Sequence, residues 1–176
     1  MLFRSQVMVV ALAAVLVAAI GTDLHSSRIP NWLTFSAMGF ALLGHTWAHG
    51  TSGTIFSVAG LGVGLALFVI PYAAGGMGAG DVKLMAAIGA LVGPAGALLS
   101  GLLAIMIGGV YAVGAMCYQW GLIDTGRKLL CAAQAGILTG GKVWAEDLQL
   151  PFRLRYGVAI AGGTLLFELG LHPFGG

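Results

Sequence analysis

The chain has 176 residues, 59% of them hydrophobic and 8% charged, with 30 glycines and a net charge of +2. Soluble domains carry about 25% charged residues, so this composition excludes an ordinary soluble enzyme and points to an integral membrane protein. The positive residues are scattered with no aromatic stacking platform beside them, which excludes a nucleic-acid binder. The alternating polarity of a transmembrane barrel is also missing.

Lipid offers the backbone no hydrogen-bond partners, so each spanning segment must satisfy its own. The expected fold is therefore all-α: one polytopic membrane domain over residues 1–176, with about six transmembrane helices and a cytoplasmic amphipathic segment. In chain order the first span covers about residues 2–22, the second 31–49 and the third 54–73. The apolar stretch after Asp81, which runs to about Tyr118, is too long for one span of about 20 residues. Gly93-Pro94 is its expected turn. Residues 119–155 are more polar, and Leu129, Leu130, Ala133 and Ile137 recur at helical spacing beside Arg127 and Lys128. That pattern reads as a helix lying on the inner leaflet, either a gate or a tether. The last span covers about residues 156–171.

Lys and Arg concentrate on cytoplasmic loops. With the N-terminus outside, the inner segments hold Arg28, Lys83, Arg127, Lys128, Lys142, Arg153 and Arg155, and only Arg4 lies outside. A cleaved signal peptide is the rival reading of the start, given Arg4, an apolar core and the small residues Ala18-Ala19.

Within this frame one acidic residue stands out. In "YAAGGMGAGDVKLMAAIGALVGP", Asp81 interrupts a run of glycines and aliphatics. An isolated charge at membrane depth costs several kcal/mol, by estimates from about 2.5 to well over 10. Asp23 closes the first span and Asp81 opens the fourth, so both fall at the cytoplasmic face. Two carboxylates that approach one another cannot both ionise cheaply, and the pair then supplies a general acid and a general base. The bland alternative for each is a helix cap or an interfacial charge. Residues 82–92 span about 16 Å of helix, half a bilayer. If the Gly93-Pro94 turn reaches the far side, Asp81 begins below the membrane surface in a wet pocket. Gly75, Gly76, Gly78 and Gly80 would let another chain approach it closely. A nucleotide-loop reading of "GGMGAG" lacks the preceding strand that phosphate binding requires.

Other residues carry weaker signals. Pro30 and Asn31 suit the start of the second helix, with Asn31 capping free N–H groups. Arg28 and Lys83 read as interfacial anchors, or as partners of lipid headgroups or of the aspartates. His25 reads as a solvated loop residue. His45 and His49 have the i, i+4 spacing of zinc ligands but fall on the outer side with no third ligand, so no metal is expected. Cys117 and Cys131 lie on the cytosolic side, where thiols stay reduced. The small-xxx-small pairs Gly60/Gly64 and Gly89/Gly93 mark close helix packing.

Three stretches together resemble one family. "GMGAGDVKL" resembles the GxGD signature of intramembrane aspartic proteases, in the form found in type IV prepilin peptidases. "DLHSSRIPNWLT" resembles that family's first aspartate motif, and "LPFRLRYGVAIAGG" its proline-aromatic entry into the last helix. The short chain is most similar to the tight-adherence (Tad/Cpa) type. The resemblance implies an aspartic endopeptidase of the bacterial inner membrane that removes the basic leader of Flp-like prepilins or pseudopilins at the cytoplasmic interface. It implies Asp23 and Asp81 as catalytic residues, with Gly78, Gly80, Lys83, Arg28, Pro30 and Asn31 around them. No cofactor is expected; membrane lipids are partners, and self-association stays open. Longer prepilin peptidases also methylate the trimmed pilin, using a segment often marked by two Cys-x-x-Cys pairs ahead of the first aspartate motif. Only about 22 residues precede Asp23 and no Cys-x-x-Cys occurs, so cleavage without methyl transfer is expected. Paired carboxylates also serve ion pathways, which keeps a small transporter or channel subunit as the alternative.

Overall fold

Every regular element in the computed structural model, which describes residues 2–26, 29–73, 77–121, 124, 126–127 and 156–170, is helical. In chain order these are α1 (Leu2–Ser26), α2 (Asn31–Ala73), α3 (Ala79–Trp120) and α4 (Tyr156–Glu168). Both α2 and α3 contain stretches long and apolar enough to cross a membrane.

A straight helix of 43 residues would be about 64 Å long, twice the hydrocarbon thickness of about 30 Å. α2 avoids this by reversing at Gly50, where the backbone takes φ 62° and ψ −138°. Thr46 Oγ1 and Thr54 Oγ1 lie 2.8 Å apart across the turn; along a straight helix their backbones would be about 12 Å apart. α3 reverses at Gly93, with φ 79° and ψ 180°. The Cβ position of Gly89 there lies 3.2 Å from Ala97 Cβ. The four helices thus provide six limbs. The breaks expected near Gly50 and at Gly93-Pro94 are present.

The first limb of α3 is the centre of the bundle. Leu84, Met85, Ala86, Ala87 and Ile88 are all fully buried, and a helix apolar on every side is one that other helices surround. Small residues make the surrounding possible. Gly60 packs its backbone against Gly89, and Gly64 against Met85 and Ala86. On the other side, Gly163 of α4 leaves room for the Ser100 carbonyl oxygen, 2.7 Å from where its Cβ would stand. The small-residue spacings are thus packing surfaces, as van der Waals association in lipid requires.

The Gly93 reversal leaves backbone acceptors to satisfy. Residue 94 would bond the Ala90 carbonyl in a continuous helix, but Pro94 has no N–H. Ser57 Oγ donates to that oxygen instead, at 3.0 Å. The next carbonyl, Leu91, accepts from His45 Nε2 at 2.9 Å, and the His45 ring rests on Phe56 with centroids 5.1 Å apart. Both donors come from α2.

Phe56 also covers Gly93. It lies six positions beyond Gly50 in sequence, so the inner reversal stops about 9 Å short of the outer one. The shortness of residues 82–92 is therefore taken up at the reversal end. The expectation of a sunken Asp81 assumed a turn that reached the far side, and it loses that premise here. Arg28, Cys131 and most of the amphipathic stretch expected over residues 119–155 lie outside the described residues.

Candidate active site

α1 buries one face of an apolar helix. Leu12, Val15, Leu16 and Ala19 are buried and recur at three- and four-residue spacing, so they align along the helix. Asp23 is the next position on that stripe and is only 5% exposed. Thr22 keeps its hydroxyl local, donating to the Ala18 carbonyl at 2.9 Å and the Ala19 carbonyl at 3.1 Å. The turn of helix carrying Asp23 thus stays regular until α1 ends at Ser26.

Asp81 is held differently. It is the third residue of α3, and its Oδ2 accepts from the Gly78 N–H at 3.2 Å while its own N–H donates to the Gly78 carbonyl at 3.1 Å. A carboxylate in the first turn of a helix answers both the free N–H groups and the positive end of the dipole. The capping role is therefore real. Asp81 is nevertheless 9% exposed, more buried than a cap requires.

The two motifs touch. The Cβ position of Gly80 lies 3.3 Å from Ile29 Cβ, which seats the turn before Asp81 on the residue that precedes Pro30. The Pro30 carbonyl accepts from the Leu33 N–H at 3.1 Å and so starts α2. Lys83 Nζ donates to Asn31 Oδ1 at 2.9 Å and stands 5.5 Å from the centroid of the Phe35 ring. One expectation is corrected by that bond. The Asn31 side chain serves a tie between α2 and α3 rather than capping its own helix. The Lys83 ammonium, whatever else it meets at the surface, is engaged with that tie and an aromatic face.

The start of α4 closes the site. Gly157 is buried against Asp23, with its Cβ position 2.7 Å from Asp23 Oδ2 and 3.1 Å from Asp23 Cγ. The preceding residue, Tyr156, is half-buried and lies within electrostatic reach of Asp81. Its ring fills the space left by Gly108 of α3. The first turn of this helix thus packs on Asp23 through Gly157, with Tyr156 beside it. Sequence reasoning placed Tyr156 and Gly157 in a motif but gave neither a role; the signal available was their position at the head of the last helix.

Among the other candidates, His25 is exposed. His45 Nε2 donates to the Leu91 carbonyl, so that ring serves the Gly93 reversal. Among the described residues no three His, Cys, Asp or Glu side chains gather as a metal set. Asp23, Asp81, Gly78, Gly80, Pro30, Asn31 and Lys83 all fall at one end of the bundle. Arg28 lies outside the described residues.

Comparison with known proteins gives one family. The model of the type IV leader peptidase family matches residues 10–113, more than half of the chain. No curated protein and no solved structure matches. The matched region contains Asp23, Asp81 and every glycine of the second motif. The chain belongs to the type IV leader peptidase family, whose members are membrane-embedded peptidases.

Proposed function

We propose that this peptidase is an aspartic-type endopeptidase that removes the leader of type IV, Flp-like prepilins, with Asp23 and Asp81 as its catalytic pair. The observation that carries the reading is the burial of both aspartates at one end of the bundle, with Asp23 against the first turn of α4. One carboxylate acts as base, taking a proton from a water whose oxygen attacks the scissile carbonyl carbon. The other acts as acid, protonating the carbonyl oxygen. Collapse of the tetrahedral intermediate breaks the C–N bond, and the leaving amine takes up a proton. Neither a metal nor an organic cofactor enters these steps.

The six limbs support six membrane spans with the N-terminus outside, which sets the aspartate end at the cytoplasmic face of a bacterial inner membrane. A prepilin or pseudopilin with a cytosolic basic leader and a membrane-helical body presents its junction at that level. The short tight-adherence type is the subtype that the motifs favour. No Cys-x-x-Cys occurs in the sequence, in keeping with cleavage that leaves the new N-terminus unmethylated.

The test is co-expression with a prepilin from the same genome. Leader removal should appear as a mobility shift with the wild-type protein and vanish with Asp23→Asn and with Asp81→Asn. Either variant should still insert, because the amide keeps the shape and, at position 81, an acceptor for Gly78. Efficient processing by either one defeats the aspartic mechanism. Mass spectrometry of the product should find a free amine, and a gain of one methyl group would show a second activity.

A further inference from the structure

We infer that the first turn of α4, through Gly157 with Tyr156 beside it, is a positioning element that sets the Asp23 carboxylate of the site. This deepens the peptidase reading and rests on it. The family match ends at residue 113, so both residues lie outside the matched region.

Gly157 carries the steric half. A methyl group there would stand 2.7 Å from Asp23 Oδ2, 3.1 Å from Cγ and 3.2 Å from Cβ. No bending of a flexible chain end relieves all three, because Cβ is fixed to α1. The carboxylate must therefore swing away or the two helices must part. Tyr156 carries the anchoring half. Gly108 leaves room for its ring, which fixes the head of α4 on α3.

The other glycines of α4 show that this is not simply close helix packing. Gly163 abuts backbone, with Ala104 N at 2.5 Å and the Ser100 carbonyl oxygen at 2.7 Å from its Cβ position. Gly162 has only Ile107 Cδ1 near it, at 3.5 Å, an ordinary contact. One helix thus holds three distinct cases: a glycine against a carboxylate, a glycine against backbone, and a glycine with room to spare.

The experiment compares Gly157→Ala, Gly163→Ala, Gly162→Ala and Tyr156→Phe in detergent micelles. The substrate is a synthetic peptide with a basic leader, a glycine and an apolar helix. A displacement of about 1 Å at a reacting group can lower turnover about 100-fold. Gly157→Ala should lose kcat on that scale with KM and Tm held, and Gly163→Ala should lose Tm. Gly162→Ala should match the wild type, as should Tyr156→Phe, which keeps the ring on Gly108. A second readout does not need proteolysis: labelling of Asp23 and Asp81 by a hydrophobic carbodiimide, quantified by mass spectrometry. Gly157→Ala should change the ratio of Asp23 to Asp81 labelling, and Gly162→Ala should not. If the wild type fails to cleave, the peptidase reading falls while the labelling ratio still decides the positioning role. Unchanged kcat and labelling in Gly157→Ala overturn the inference. A Tm loss like that of Gly163→Ala overturns it as well, by making Gly157 a packing residue.

Discussion

The reversals at Gly50 and Gly93 use the same backbone device in opposite surroundings. Each glycine has a positive φ, 62° at Gly50 and 79° at Gly93. Around Gly50 the Cβ position is open, with nothing within 4 Å, and the nearby hydroxyls bond within the same hairpin. Ser52 donates to the His49 carbonyl at 2.7 Å, and Thr54 to the Gly50 carbonyl at 3.2 Å. Around Gly93 the Phe56 ring fills the space, and the exposed carbonyls are satisfied by Ser57 and His45 of the other hairpin. A turn at the surface is a local matter. A turn in the core needs partners from elsewhere in the chain.

Three results would test that contrast. The largest should come from Gly93→Ala against Gly50→Ala. Both incur backbone strain of about 1–3 kcal/mol at these dihedrals, but Gly93→Ala adds overpacking against Phe56 of about 1–3 kcal/mol. Thermal unfolding in micelles should rank Gly93→Ala well below Gly50→Ala, and equal losses would show that the two turns are alike. Next, Ser57→Ala should cost about 1–3 kcal/mol, since it leaves the Ala90 carbonyl buried without a donor. Ser52→Ala should move the midpoint little, because water can replace an exposed hydroxyl. A harmless Ser57→Ala would mean that the core turn tolerates an unmet acceptor. The smallest effect belongs to Thr46→Val, which removes two exposed contacts, with the Leu42 carbonyl and with Thr54, and should stay within about 0.5 kcal/mol.

The parts of the fold that rest on pattern and length were legible in the sequence. Gly93-Pro94 could be placed because residues after Asp81 run too long for one span, and the break before Thr54 by the same reasoning. Asp23 and Asp81 could be singled out because an acidic residue beside a span of so apolar a chain demands a reason, and the motif around each supplied one. What stayed hidden depends on which helix lies beside which. Nothing in the residues around Pro94 says that Ser57 and His45 will serve its lost hydrogen bonds. Asn31 reads locally as a cap, and only the approach of α3 turns its amide toward Lys83. Gly157 reads as one more small residue in a membrane helix until Asp23 is found against it.

The donors supplied to Ala90 and Leu91 have a consequence for biosynthesis. Translation delivers the chain N-terminus first, so Ser57 and His45 are in place before residue 90 emerges. The second hairpin, arriving with two carbonyls its own proline and glycine leave unmet, has both partners waiting in the first. In lipid, where no water can stand in for a missing donor, that order matters. The donors that complete the central helix of the bundle are thus synthesised ahead of the carbonyls they serve.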